Sequence, residues 1–350
     1  MLLKNNTKIP LDRFINKVLY DKNNGYYMKK SPIGYKGDFI TSPSISIMFS
    51  EMMAVWIISF WEKLGCPKKI NIVELGAGNG EMMHQMNKVF ERFDKFNSSS
   101  KKIILEKSQF LKKIQKKKLV FQKVLWIDKL NEVKKDPSIF LANEFFDALP
   151  IKQFVKKKNK WFEKKVKIIN KNNFELVNKP TNIGKLEKKI KVNLKNNQKF
   201  IEFSPLSYNY LKIISKKINQ SKGGLLIIDY GYLDPQMKDT LQSIHKHKFD
   251  NIFENFSNSD ITHNVSFNLI KKILKKLNLK VVGITSQKKF LTKLGIINRA
   301  ETIAKNLKFS KKANIYYRLN RLVDDKFMGN LFKVMFATKK NNKFNTGFEN

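Results

Sequence analysis

Cysteine occurs once in this chain of 350 residues, at Cys66, and histidine only at His84, His245, His247 and His263. One thiol excludes an internal disulfide and any all-cysteine metal cluster. With just four histidines, a zinc centre is not expected. Long apolar runs are lacking too. The most apolar helical stretch, Met48 to Trp61, is broken by Ser50, Glu51 and Ser59, so no membrane span is expected. The first residues, MLLKNNTKIPLDRFINKVLY, have no apolar core followed by small residues and are not rich in arginine and serine. Neither a secretory signal nor a transit peptide is read there, and with the lone cysteine this points to a reducing cytoplasm.

Acidic residues are scarce: 29 stand against 69 lysines and arginines, a net charge of +40. Such an excess suits a nucleic-acid partner, whose phosphates attract basic side chains. The lysines, however, sit in short scattered runs, Lys112 to Lys118, Lys156 to Lys158 and Lys271 to Lys276, without interleaved aromatics for base stacking. A compositional bias is the preferred reading, and a nucleic-acid partner stays open but not favoured.

What the chain does have is 42% hydrophobic residues, enough for a sizeable core. Short β-branched runs alternate with helical stretches, the pattern of a mostly parallel sheet covered by helices. Strands are predicted at Ile70 to Leu75, Lys102 to Glu106, Val120 to Ile127, Ile139 to Asn143 and Gly224 to Tyr230, with a late pair at Lys280 to Thr285 and Leu331 to Thr338. Helices are predicted from Glu81 to Phe93 and from Ser108 to Lys117, with Ser108 as N-cap. The alternation of apolar and charged residues from Lys152 to Val177 reads as a β-ribbon insertion, whereas Gly231 to Asn264 reads as a polar, irregular one. Residues 1–47 are expected to fold over the ligand site. The core comprises 48–150, 199–230 and 265–339, interrupted by insertions at 151–198 and 231–264, and 340–350 is expected to be a disordered tail.

The stretch IVELGAGNG, residues 72–80, carries the most specific signal. A dinucleotide fingerprint would place a third glycine where Glu81 stands, a poor neighbour for a pyrophosphate. A P-loop fails because no Gly-Lys-Ser/Thr follows. An acid, Glu74, followed by Gly76, Gly78 and Gly80 suits a ligand that is cationic and lacks phosphate, namely S-adenosylmethionine. Glycine lets the backbone approach such a ligand closely. Glu106, at the end of the second strand, is placed to accept both ribose hydroxyls.

The segments GYYMKK (25–30), GDFITSPSIS (37–46), VELGAGNG (73–80), ILEKSQFLKKIQ (104–115), NEFFDALPI (143–151) and IIDYG (227–231) occur in that order, followed by DTLQ (239–242), SDITHNVSF (259–267) and FKVMFATK (332–339). Together they resemble the MidA family of methyltransferases, which includes a mitochondrial complex I assembly factor acting on protein arginine. The resemblance implies an α/β fold built on a seven-stranded class I methyltransferase (Rossmann-like) sheet with insertions. It also implies S-adenosyl-L-methionine as cofactor and symmetric dimethylation of an arginine on a quinone-side complex I subunit. The family's loop usually reads Gly-Pro-Gly-Arg-Gly-Thr, and Ala77, Asn79 and Glu81 depart from it here; Ser266 likewise replaces an aspartate. The chain starts about where the family domain starts, so a bacterial cytoplasm is expected.

Candidate catalytic residues follow the fourth strand. Glu144 and Asp147, three apart, would share a face of one helical turn and hold a planar guanidinium, with Asn143 as a polar anchor. Asp38, Thr41 and Ser42 belong to a loop expected to fold over the cofactor. Asp229 and Tyr230 face the same edge, and His247, Asp260, Thr262 and His263 lie in the second insertion, where loop packing is the preferred role for the histidines. Two alternatives stay open. One is an RNA methyltransferase, although the Asn-Pro-Pro-Tyr/Phe signature of base amino methylation is missing where NEFFDALP stands. The other is a non-catalytic complex I assembly chaperone with a vestigial cofactor site.

Overall fold

Buried strands need apolar side chains on both faces, and the runs that satisfy this pair into one sheet. In the computed structural model, which describes residues 7–29, 41–170, 173–245, 248–255 and 258–349, these are β1 (Ile70–Leu75), β2 (Ser100–Leu105), β3 (Val124–Ile127), β4 (Ser138–Asn143), β5 (Gly223–Tyr232), β6 (Leu279–Ser286) and β7 (Phe332–Lys339). Their order is β3-β2-β1-β4-β5-β7-β6. The first five are mutually parallel, and β7 runs antiparallel between β5 and β6. A two-residue strand, Val265–Ser266, adds parallel to the end of β5 as an eighth member.

Side chains alternate between two cores, as the period of a strand requires. Ile72, Ile104, Leu141 and Leu226 join the core of helices Ile47–Lys63 and Glu81–Phe90. Val73, Ile103, Phe140 and Leu225 join the core of helices Pro205–Ser221 and Phe267–Lys276. Two predicted boundaries in the core shift by three residues or more. The third strand starts at Val124 rather than Val120, because Leu119 to Gln122 close a turn that leaves Val120 and Phe121 in solvent. The helix after the glycine loop stops at Phe90. Ser108 caps helix Gln109–Lys118 as expected, its Oγ accepting the Leu111 N–H at 3.1 Å.

The first insertion forms an antiparallel meander, Lys152–Lys157, Lys160–Asn170 and Asn173–Pro180. Thr7–Pro10 and Phe200–Phe203 extend it. The second insertion, expected to be irregular, contains a three-stranded antiparallel sheet of Gln242–His245, Lys248–Asp250 and Asp260–Thr262. Composition hid it because several inward-facing residues, Ser243, Asp260 and Thr262, are polar yet buried. A third core unites helix Leu11–Tyr20 with both insertions, through Phe14 and Val18, Val166 and Ile168, and Ile261.

The expected disordered tail is a further correction. Phe344 is buried against Trp56, Phe60 and Phe336, and the Trp56 indole N–H donates to the Thr346 carbonyl at 3.0 Å. Aromatic burial outweighs the polar composition around it.

Candidate functional site

The carboxyl ends of β1, β2, β4 and β5 open into one cavity. Its lining includes Gly76 and Gly78, Glu106, Glu144 and Asp147. Thr41 and the aromatic residues Tyr20, Tyr27, Tyr210 and Tyr230 close it, with Asp260 and Thr262 from the second insertion. This is where open α/β sheets bind ligands.

The glycine loop needs its glycines. Gly76, Gly78 and Gly80 have φ of 67°, 54° and 81°, in the left-handed region that side-chain-bearing residues avoid. A Cβ on Gly76 would lie 2.8 Å from the Phe145 ring. Gln115, fully buried on helix Gln109–Lys118, braces the loop: its amide nitrogen donates to the Gly78 carbonyl at 2.9 Å and to Glu106 Oε2 at 3.1 Å. Its amide oxygen accepts from the Trp126 indole at 2.9 Å. Glu106 also accepts the Ser108 N–H at 2.8 Å. Glu74 sits behind the loop, 3% exposed, with Oε2 unpartnered among the described residues. Burial and the neighbouring Glu106 push its carboxyl up to about 8. An orphaned acid and three left-handed glycines are what a cationic amino-acid group on an adenosine requires, so these residues fit S-adenosylmethionine.

The second group of acids is arranged differently from the expectation. No helical turn links Glu144 to Asp147: Glu144 itself has φ of 49°, and the chain makes a bend and turn through Leu149. The cause is Asp229, buried at the end of β5. Its Oδ2 accepts the N–H groups of Phe145, Phe146 and Asp147 at 3.3, 3.0 and 3.3 Å, wrapping the loop around one carboxylate. Glu144 Oε1 accepts from the Ser42 N–H at 3.0 Å and the Asn143 amide at 3.1 Å. Burial, reinforced by Asp147, raises Glu144 to about 8. Burial likewise raises Asp147, opposed by the Tyr230 hydroxyl and His263, and leaves its Oδ1 unpartnered among the described residues. Asp229 rises well above the usual range through burial and then the charges of Asp147 and Glu144.

Of the expected site residues, Gly76, Gly78, Glu106, Thr41, Glu144 and Asp147 line the cavity. Gly80, Ser42 and Asn143 support those residues from behind: Gly80 forms the N-cap of helix Glu81–Phe90, and the other two hold Glu144. Asp38 and His247 lie outside the described residues. His263 is buried behind Asp147, whose carbonyl accepts its N–H at 3.1 Å, and burial lowers its pKa.

Sequence reading missed Gln115, Phe145, Tyr210 and the pair Tyr20 and Tyr27. The two tyrosines stack at 5.4 Å; the Tyr27 hydroxyl donates to Asp260 at 2.8 Å and the Tyr20 hydroxyl to the Ala148 carbonyl at 3.1 Å. Gln115 alone carried a signal: it is a polar residue on the apolar face of its helix.

Residues 52–285 match the family model Methyltransf_28, described as "Putative S-adenosyl-L-methionine-dependent methyltransferase". The chain is 29% identical over 360 residues to "Protein arginine methyltransferase NDUFAF7, mitochondrial" of Xenopus tropicalis, covering 95% of this chain and 82% of the relative. The Homo sapiens protein of the same name is 27% identical over 359 residues, covering 94% and 80%. A crystal structure from Burkholderia thailandensis, bound to S-adenosyl-homocysteine, superposes with a TM-score of 0.79 at 21% identity, covering 98% of this chain and 89% of that one.

Proposed function

Because this chain belongs to that family of S-adenosyl-L-methionine-dependent methyltransferases, we propose that its acceptor is a protein arginine, held by Glu144 and Asp147. The observation that carries the reading is the acid cluster itself. In a chain of net charge +40, Glu144, Asp147 and Asp260 converge on one cavity walled by tyrosines. Among the described residues Glu144 and Asp147 have no lysine or arginine partner, a costly state for a buried carboxylate, and a guanidinium, charged at all practical pH values, relieves that cost. The relatives named as protein arginine methyltransferases support the same acceptor.

The bound cofactor supplies a methyl carbon on a cationic sulfur, open to in-line attack. Gly76, Gly78 and Glu106 would hold it at the ends of β1 and β2, with Glu74 buried behind the loop. The acids after β4 hold the acceptor: Glu144, fixed by Ser42 and Asn143, keeps its other oxygen for the substrate, and Asp147 lines the same cavity. Two carboxylates on a planar fork fix the attacking nitrogen in place, which is the main demand of such a displacement. The proton shed by the methylated guanidinium has these carboxylates as its nearest acceptors. Burial raises Glu144 to about 8, so binding a guanidinium beside it would release a proton near pH 7.

The sequence resemblance supports a quinone-side subunit of respiratory complex I as the protein substrate, and the lone exposed Cys66 accords with work in a bacterial cytoplasm. Methyl-labelled cofactor, offered with the soluble quinone-side subunit and with RNA in parallel, tests the proposal. Label recovered as methylarginine supports it. Label in RNA alone moves the acceptor to nucleic acid. Cofactor binding with no transfer to either favours the chaperone alternative.

A further inference from the structure

Two of the lysine runs that look scattered in sequence meet in space. Lys156 and Lys158, at the tip of the ribbon, line a groove with Lys195 and Lys199. Lys272, Lys275 and Lys276, from the end of helix Phe267–Lys276, line a second depression. Gln198 borders both, so the two halves adjoin. That residue is fixed: its amide donates to the Pro235 carbonyl at 2.8 Å and accepts the Met237 N–H at 2.8 Å.

Among the described residues no acid lines either half. Acids nonetheless pair with other lysines of the same ribbon, Lys152 with Asp12 and Glu163 and Lys164 with Asp239. Of the seven groove lysines only Lys195 has a carboxylate partner among the described residues, Glu187 at 3.1 Å.

We propose that this groove docks an acidic, partly apolar stretch of a polypeptide substrate, away from the arginine to be methylated. The inference rests on the reading that the substrate is a protein. The chemistry of the lining favours a polypeptide over nucleic acid. Val192, Leu194, Met237 and Leu269 supply apolar floor, and Asn193 and Asn197 supply amides that suit peptide groups. Among the described residues the lining has no aromatic side chain, on which single-stranded bases would stack.

The test uses the full chain, a fluorescein-labelled glutamate-rich peptide with interspersed leucine, and a uridine oligonucleotide of equal charge. Anisotropy is read across a salt series. A groove variant combines Lys156→Gln, Lys199→Gln, Lys272→Gln and Lys276→Gln. A variant with the same charge loss elsewhere combines Lys113→Gln, Lys117→Gln, Lys305→Gln and Lys311→Gln, all exposed positions. The groove variant should bind the peptide on the order of tenfold more weakly, while the second variant changes by less than about twofold. Equal losses in both variants would overturn the proposal, as would a groove that prefers the oligonucleotide. Failure here with methylarginine still formed leaves the proposed activity standing; peptide docking without methylarginine does the reverse.

Discussion

Replacing Glu144 with glutamine separates the two consequences of burying that carboxylate. Glutamine is nearly isosteric, and its oxygen can still accept the Ser42 N–H and the Asn143 amide that now reach Oε1 at 3.0 and 3.1 Å. The loop should therefore keep its shape, and affinity for S-adenosylhomocysteine should change little. What is lost is the charge offered to the guanidinium. Removing one charge-assisted hydrogen bond from the transition state costs on the order of 2–4 kcal/mol, about thirty- to a thousand-fold in rate. Stability should move the other way. The folded-state carboxyl is raised from 4.5 to about 8, so between those values the native state binds more protons than the unfolded chain. Wild-type stability then falls as pH rises through that window. At about 1.4 kcal/mol per unit over roughly 3.5 units, the loss is on the order of 5 kcal/mol when complete. Glu144→Gln has no such proton to release, so its melting temperature should gain on wild type as pH rises from about 5 to 8.5. Methyl transfer and thermal melts across that range are the assays. A folded variant that methylates arginine at the wild-type rate removes Glu144 from the mechanism, and a melting difference that ignores pH refutes the burial argument.

Calorimetry on the wild type should show binding of S-adenosylmethionine and S-adenosylhomocysteine but not NAD; tight NAD binding without either sulfur ligand would contradict the site. Gly78→Val should abolish that binding, because a β-branched residue resists φ of 54° and fills the ligand's space. Gln115→Met should lower S-adenosylhomocysteine affinity about tenfold by leaving the Gly78 carbonyl, Glu106 and the Trp126 indole without their shared partner; unchanged affinity would mean that the loop needs no brace. Phe344→Ala should cost about 3–5 kcal/mol in denaturant unfolding, and a loss below about 1 kcal/mol would place the tail outside the core.

The sheet was readable because each buried strand feeds two cores and so shows as an unbroken apolar run, with turns marked by glycine and proline. The glycine loop was readable because its geometry is local: positive φ belongs to the residue that bears it. The loop after β4 was not. Its shape depends on Asp229, more than eighty residues further along, and nothing near Glu144 announces a left-handed backbone. Tyr20 and Tyr27 were hidden for the same reason, since their partners Ala148 and Asp260 are remote. The strand Asp260–Thr262 and the packed tail show the converse error, in which polar neighbours disguise residues that become buried.

The position of β7 governs how this protein can be made. Phe332–Lys339 is the last of the seven strands to leave the ribosome, yet it belongs between β5 and β6. Until it arrives, Gly224 to Tyr230 has no neighbour on one side and Lys280 to Ser286 has none where β7 belongs, since both pair only with that strand there. An open edge of Leu225, Leu226, Ile227 and Ile228 is the kind of surface on which nascent chains mispair with one another. The sheet therefore closes only after synthesis has passed its final strand, and a chain stalled before Phe332 carries a sticky seam through its centre rather than a missing end.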